Sequence, residues 1–129
     1  MDQRTSIRPH IKNIGPLNLK KDEEKFQNAT LRPIIKMQHD LIVSFFQNYV
    51  VSKKINFAEL NADQKRHLIN KIFQSDNNLR TEFRGLIIGH FTVQEYETYS
   101  TMTREINRRM ITMIKDRLMS LFTGYQLLR

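Results

Sequence analysis

Cysteine is absent from the 129 residues. Disulfides, thiolate nucleophiles, Cys-ligated zinc and iron–sulfur clusters are therefore excluded together, and the absence fits a reducing cytosol. Long apolar runs are lacking too. The longest, at residues 41–43 and 45–46, fall far short of the roughly 20 residues a membrane span needs. The opening stretch MDQRTSIRPHIK has no apolar core followed by a small-residue cleavage site, so a cytoplasmic protein with no membrane partner is expected. Glycines number four and prolines three. Pro9, Gly15 and Pro16 fall within residues 1–27, which leaves the remainder free to form long regular elements.

Positive charge is plentiful and unevenly spread. Residues 1–21 set Arg4, Arg8, Lys12, Lys20 and Lys21 against Asp2. Residues 104–129 set Arg104, Arg108, Arg109, Lys115, Arg117 and Arg129 against Glu105 and Asp116. These two segments carry the whole of the formal +8. Such a distribution attracts a polyanion or an acidic protein without specifying either.

The hydrophobic pattern predicts an all-α fold: a helical bundle of two long and two short helices, residues 28–129, preceded by an extended N-terminal arm, residues 1–27. The arm scatters Ile7, Ile11, Ile14, Leu17 and Leu19 among charges without a regular period. Five aliphatics are more than a free tail usually carries, so the arm is expected to dock, with residues 20–25 as a solvated connection. The first long helix, residues 31–53, is expected to be capped by Thr30, with Pro33 in the first turn and Lys53 and Lys54 at its end. Its stripe runs through Leu31, Ile34, Ile35, Leu41, Ile42, Phe45, Phe46 and Tyr49. Asn61, with Gln64 three residues on, marks a short helix, and residues 75–78 break it. The next carries Gly85 and Gly89, expected as a close-approach site and a helix end. Thr92 and Glu95 form the clearest local signature, a capping box. It should open the second long helix, residues 93–122, with a stripe of Tyr96, Tyr99, Ile106, Met110, Ile114, Leu118 and Leu121, closed by Gly124. Stripes this long can exceed what two short helices cover, so self-association, for instance as a homodimer, is also expected.

Chemistry-bearing patterns are sparse. His10, His39, His67 and His90 stand in no metal-ligand spacing, and His39 and Asp40 point about 100° apart on a helix. No metal and no cofactor is expected, and no catalytic residue is assigned. No G-x-S-x-G or phosphate-cradling glycine turn occurs. Glu95, Glu97 and Glu105 read as solvated-face residues. More informative are polar residues on the core side of the wheel: Gln38, Thr103, Asn107 and Arg117. They form either a mutually satisfied layer that fixes helix register or the wall of a ligand pocket. A small-molecule site near His39, His90, Tyr96 and Tyr99 is the enzyme-like alternative. Arg104, Arg108 and Lys115 line one edge of the last helix as a surface for an anion or partner. Nucleic acid is a further candidate there, although no aromatic is interleaved for stacking and Glu105 can pair with Arg109.

The stretches LRPIIKMQHDLI (residues 31–42), FRGLIIGHFTVQEYETY (83–99) and NRRMITMIKDRL (107–118), with the R-T-S-I-R-P arm, resemble a group of small, uncharacterised bacterial proteins. That resemblance covers most of the chain, and those proteins sometimes carry an automatic glyoxalase label. Glyoxalase-type enzymes look like paired βαβββ modules with metal ligands on strands, whereas this sequence has no alternating strands and no such ligand set. The resemblance carries over no functional residue. The reading that follows from the residues is a non-enzymatic helical interaction protein with a basic surface.

Overall fold

A helix opens at Asp22, where Asp22, Glu23 and Glu24 in the first turn meet the positive end of the helix dipole. The structure, a computed structural model, describes residues 7–8 and 21–124. The expected docking of Ile11, Ile14, Leu17 and Leu19 lies outside the described residues, as does His10. Helix α1 (Asp22–Phe26) runs through a π-turn at Gln27–Leu31 into α2 (Arg32–Met37). Residues read as solvated connection are thus the start of the helix, and Phe26 is already in the core.

Thr30 is not the N-cap. It sits inside the π-turn and is buried. The reason lies at Pro33, which has no N–H to give the carbonyl of residue 29 and whose ring crowds that turn. Widening the turn, with the Arg32 amide reaching back to the Gln27 carbonyl, lets the helix pass the proline instead of starting at it. At Gln38 (φ −89°, ψ 10°) the run breaks again. Helix α3 (His39–Ser52) then buries Ile42, Phe46 and Val50.

Helix α3 ends as the two lysines imply, by a route the sequence hides. Lys54 takes a left-handed conformation, φ 59°. The Lys54 amide bonds the Val51 carbonyl and the Ile55 amide bonds the Val50 carbonyl, each at 2.9 Å. This is the Schellman closure, with lysine where glycine is usual.

A short 3₁₀ turn at Phe57–Glu59 leads to α4 (Ala62–Ser75). Asn61 and Gln64 close the expected capping box, at 2.8 and 3.0 Å. Asp76 breaks the chain and caps α5 (Asn77–Ile88), accepting from the Leu79 amide at 3.0 Å. A Cβ at Gly85 would meet nothing within 4 Å, so Gly85 is not a close-approach site. Gly89 does end the helix.

The second long helix is two helices. Thr92 and Glu95 cap α6 (Val93–Ser100) reciprocally at 2.8 and 3.0 Å. The chain breaks at Thr101 and Met102 before α7 (Thr103–Thr123). Thr98, Ser100 and Thr101 hydroxyls each bond back to carbonyls three or four residues earlier, a competition with the backbone ladder that favours termination. Gly124, at φ 70°, closes α7 as expected.

Helix α7 forms the spine, packing on α4, α5, α6 and the first helical run. Its Ile106, Met110, Ile114 and Leu118, four residues apart, are fully buried against Leu31, Ile34, Ile42, Phe46, Ile69, Phe83 and Ile87. Burial of each such side chain contributes about 1.5–3 kcal/mol. The architecture is an all-α bundle with no strand among the described residues. The apolar stripes that raise the expectation of self-association are covered within one chain, apart from Leu41, Tyr96 and Leu121, which are exposed.

Candidate functional site

Two groups of charged residues converge between elements distant in sequence. The first is an anchor. Arg8 donates to both carboxylate oxygens of Glu95, at 2.6 and 2.7 Å, and to the His90 carbonyl. Thr30 donates to the same carboxylate at 3.3 Å. The Arg8 side chain is only 7% exposed. Glu95 is therefore not a solvated-face residue. Burial works to raise its pKa, but the hydrogen bonds from Arg8 and the Thr92 amide outweigh it and hold the carboxyl below its usual range. This cluster ties Arg8, the π-turn and the α6 cap together.

The second group is open. Helical spacing places Arg32, Ile35 and His39 on one side of the α2–α3 run. Met113, Asp116, Arg117, Ser120 and Leu121 follow one another along one side of α7. The two sides line a cleft of about 360 Å³. Arg117 donates from Nη1 to His39 Nδ1 at 3.3 Å. A guanidinium has no lone pair to offer, so this bond requires the imidazole tautomer protonated on Nε2. Arg32 donates to the Asn28 side-chain oxygen at 3.2 Å. Both arginines are half-buried. Among the described residues neither guanidinium is paired with a carboxylate. Burial, and then the like charge of Arg32, press the Arg117 pKa below its ordinary value. Asp116, also on the wall, has an interaction of its own.

The other candidates disperse. Gln38, Thr103, Asn107 and Arg117 do not form one polar layer. Gln38 donates to the Leu86 carbonyl at 3.1 Å. Asn107 accepts from the Tyr99 hydroxyl at 2.7 Å. Thr103 is exposed and bonds back to the Tyr99 and Ser100 carbonyls. Each is satisfied by separate partners where it stands, as the partly buried Gln38 and Asn107 must be.

Nor do His39, His90, Tyr96 and Tyr99 share a pocket. His39 lies on the cleft, His90 lies at the Arg8 anchor, and Tyr96 is 52% exposed with its ring 5.6 Å from that of Tyr99. The edge of Arg104, Arg108 and Lys115 is not an uncommitted basic row. Arg108 grips Glu105 at 2.6 and 3.1 Å, and Arg109 joins it at 2.7 Å while donating to Gln27. Those bonds, Arg108's first and Arg109's second, pull the Glu105 pKa down to about 2. Arg104 stays exposed and Lys115 is half-buried.

Sequence reasoning missed Arg8, Arg32 and Ser120. The spacing of Arg32 to His39, seven apart, was a usable signal for a shared face. That this face meets Arg117 is a tertiary fact. No family model, curated protein or solved structure matches the chain. Among the described residues no group of three His, Cys, Asp or Glu side chains is arranged to hold a metal ion, and no helix is long and apolar enough to cross a membrane.

Proposed function

We propose that this protein is a non-enzymatic helical interaction module that takes an acidic segment of a partner protein in the groove between the α2–α3 run and α7. One observation carries the reading: Arg32 and Arg117 share a half-buried cleft and neither is neutralised by a carboxylate among the described residues. Like charges held together without a counter-ion raise the energy of the free protein, and an arriving anion relieves it. Ile35, Met113 and Leu121 on the same walls favour a ligand that brings apolar side chains beside its carboxylates.

A protein partner fits better than nucleic acid. Most of the aromatic side chains, Phe26, Phe46, Phe57, Phe73, Phe83, Phe91 and Tyr99, are in the core, so bases find little to stack on. The small-molecule alternative retains only His39 of its four residues.

The test is a titration with a fluorescent Glu- and Leu-rich peptide, read by anisotropy. Wild type should bind with an affinity that falls as salt rises, and Arg32→Gln/Arg117→Gln should bind at least tenfold more weakly while melting cooperatively. Equal binding by both proteins overturns the reading.

A further inference from the structure

We infer that the cleft is a phosphoryl site: Arg32 and Arg117 grip the phosphate of a phosphorylated side chain on the partner. This rests on the reading that the cleft receives the partner's acidic group, and it specifies that group.

Charge is the first argument. Two guanidiniums face one cleft without a paired carboxylate among the described residues. A single carboxylate offers two acceptor oxygens to the two forks, with Asp116 on the same wall engaged in an interaction of its own. A phosphomonoester brings about −1.5 to −2 at neutral pH, with three acceptor oxygens. The partial burial of both arginines strengthens the match, since charge–charge energies grow as water is excluded.

Donor geometry is the second. Arg32 comes from α2 and Arg117 from α7, so the forks reach the cleft from two elements. Each spends a donor on a neutral partner, Asn28 and His39, which orients the guanidinium and leaves further N–H groups. Planar forks from two directions suit a tetrahedral group better than a flat one. Ser120 adds a hydroxyl on the same wall, and the Arg117 bond leaves the His39 proton on Nε2 as another donor.

The experiment uses three fluorescent peptides, identical except for a central phosphoserine, glutamate or serine, with inorganic phosphate as competitor. The proposal expects the phosphoserine peptide to bind at least tenfold tighter than the glutamate peptide. Millimolar phosphate should displace it more effectively than chloride at equal ionic strength. Arg117→Lys and Arg32→Lys, which keep charge but lose the fork, should each erase most of that preference. Equal affinity for the phosphoserine and glutamate peptides overturns the phosphoryl assignment and leaves the acidic-groove reading standing. No binding of either, or binding indifferent to Arg32 and Arg117, overturns both. Far-UV melting of each variant confirms that a lost preference comes from a folded protein.

Discussion

Arg8 and Glu95, eighty-seven residues apart, form a two-pronged ion pair at 2.6 and 2.7 Å in which the arginine is almost fully enclosed. Glu95 also accepts from the Thr92 amide, so one carboxylate holds both Arg8 and the cap of α6. Removing one member leaves the other buried without its counter-charge. Glu95→Gln should therefore lower stability by about 3–5 kcal/mol, read from urea unfolding. Replacing both, as Arg8→Met/Glu95→Gln, should cost less than the sum of the single changes. Additive losses would show that the two residues act separately.

Acid should loosen the same cluster. Glu95, Asp76 and Glu105 all have pKa values below their ordinary ones in the folded chain. A carboxyl depressed by folding contributes stability above its unfolded pKa and loses it as pH falls through the folded value. For Glu105 that window runs from 4.5 down to about 2. Melting temperature should hold above this window and decline within it, and the decline should be shallower in Glu95→Gln. A profile flat from neutral pH into the window would contradict this.

Alkali acts through a different pair. The Tyr49 hydroxyl donates to Asp76 at 2.5 Å, tying α3 to the cap of α5. Burial, then that hydrogen bond and the Asp76 charge, push the phenol from 10.0 up to about 12. A raised folded pKa gives stability that is complete below the unfolded value and lost as pH climbs through the folded one. Stability should fall between pH 10 and about 12, and Tyr49→Phe should remove that fall. At neutral pH the same substitution should cost about 1.5–3 kcal/mol, the net value of one hydrogen bond to a charged acceptor.

Lys54 stands left-handed at φ 59° in the closure of α3. A side chain in that conformation costs roughly 1–2 kcal/mol, against which the lysine charge near the helix end returns roughly 0.3–1 kcal/mol. Lys54→Gly should raise stability by roughly 0.5–1 kcal/mol. A loss of stability on chemical denaturation would contradict the assigned geometry.

The buried Tyr99 hydroxyl depends on Asn107. Asn107→Leu should cost about 1–3 kcal/mol by stranding that hydroxyl. Tyr99→Phe in the same chain should recover most of the loss, since both ends of the bond are then gone. No recovery would mean that Asn107 serves something other than Tyr99.

What the sequence carries plainly is local. The boxes at Asn61 with Gln64 and Thr92 with Glu95, and the left-handed Gly124, each depend on residues within one turn, so their chemistry is complete in the written order. The π-turn before Pro33 and the break after Ser100 were also written locally, as a mid-helix proline and a run of hydroxyls. Pro33 read as a helix start obscured the first, and an apolar stripe that resumes at Ile106 obscured the second, because periodicity registers which side faces inward and not whether the backbone stays continuous. The Arg8 anchor and the meeting of His39 with Arg117 join residues about eighty apart. No spacing rule reaches that far, so half of each site was visible and its partner was not. Gly85 misleads for a related reason: a small residue permits close packing, but a neighbour must be there to use it.

Whether the Arg32 and Arg117 cleft receives an acidic partner segment is read most directly from backbone amide chemical shifts of the isotope-labelled protein as the acidic peptide is added. Saturable shifts should concentrate at residues 32–39 and 113–121 and be lost in Arg32→Gln/Arg117→Gln. Shifts centred on Arg104 and Arg108, or none at peptide concentrations well above the protein's, would contradict it.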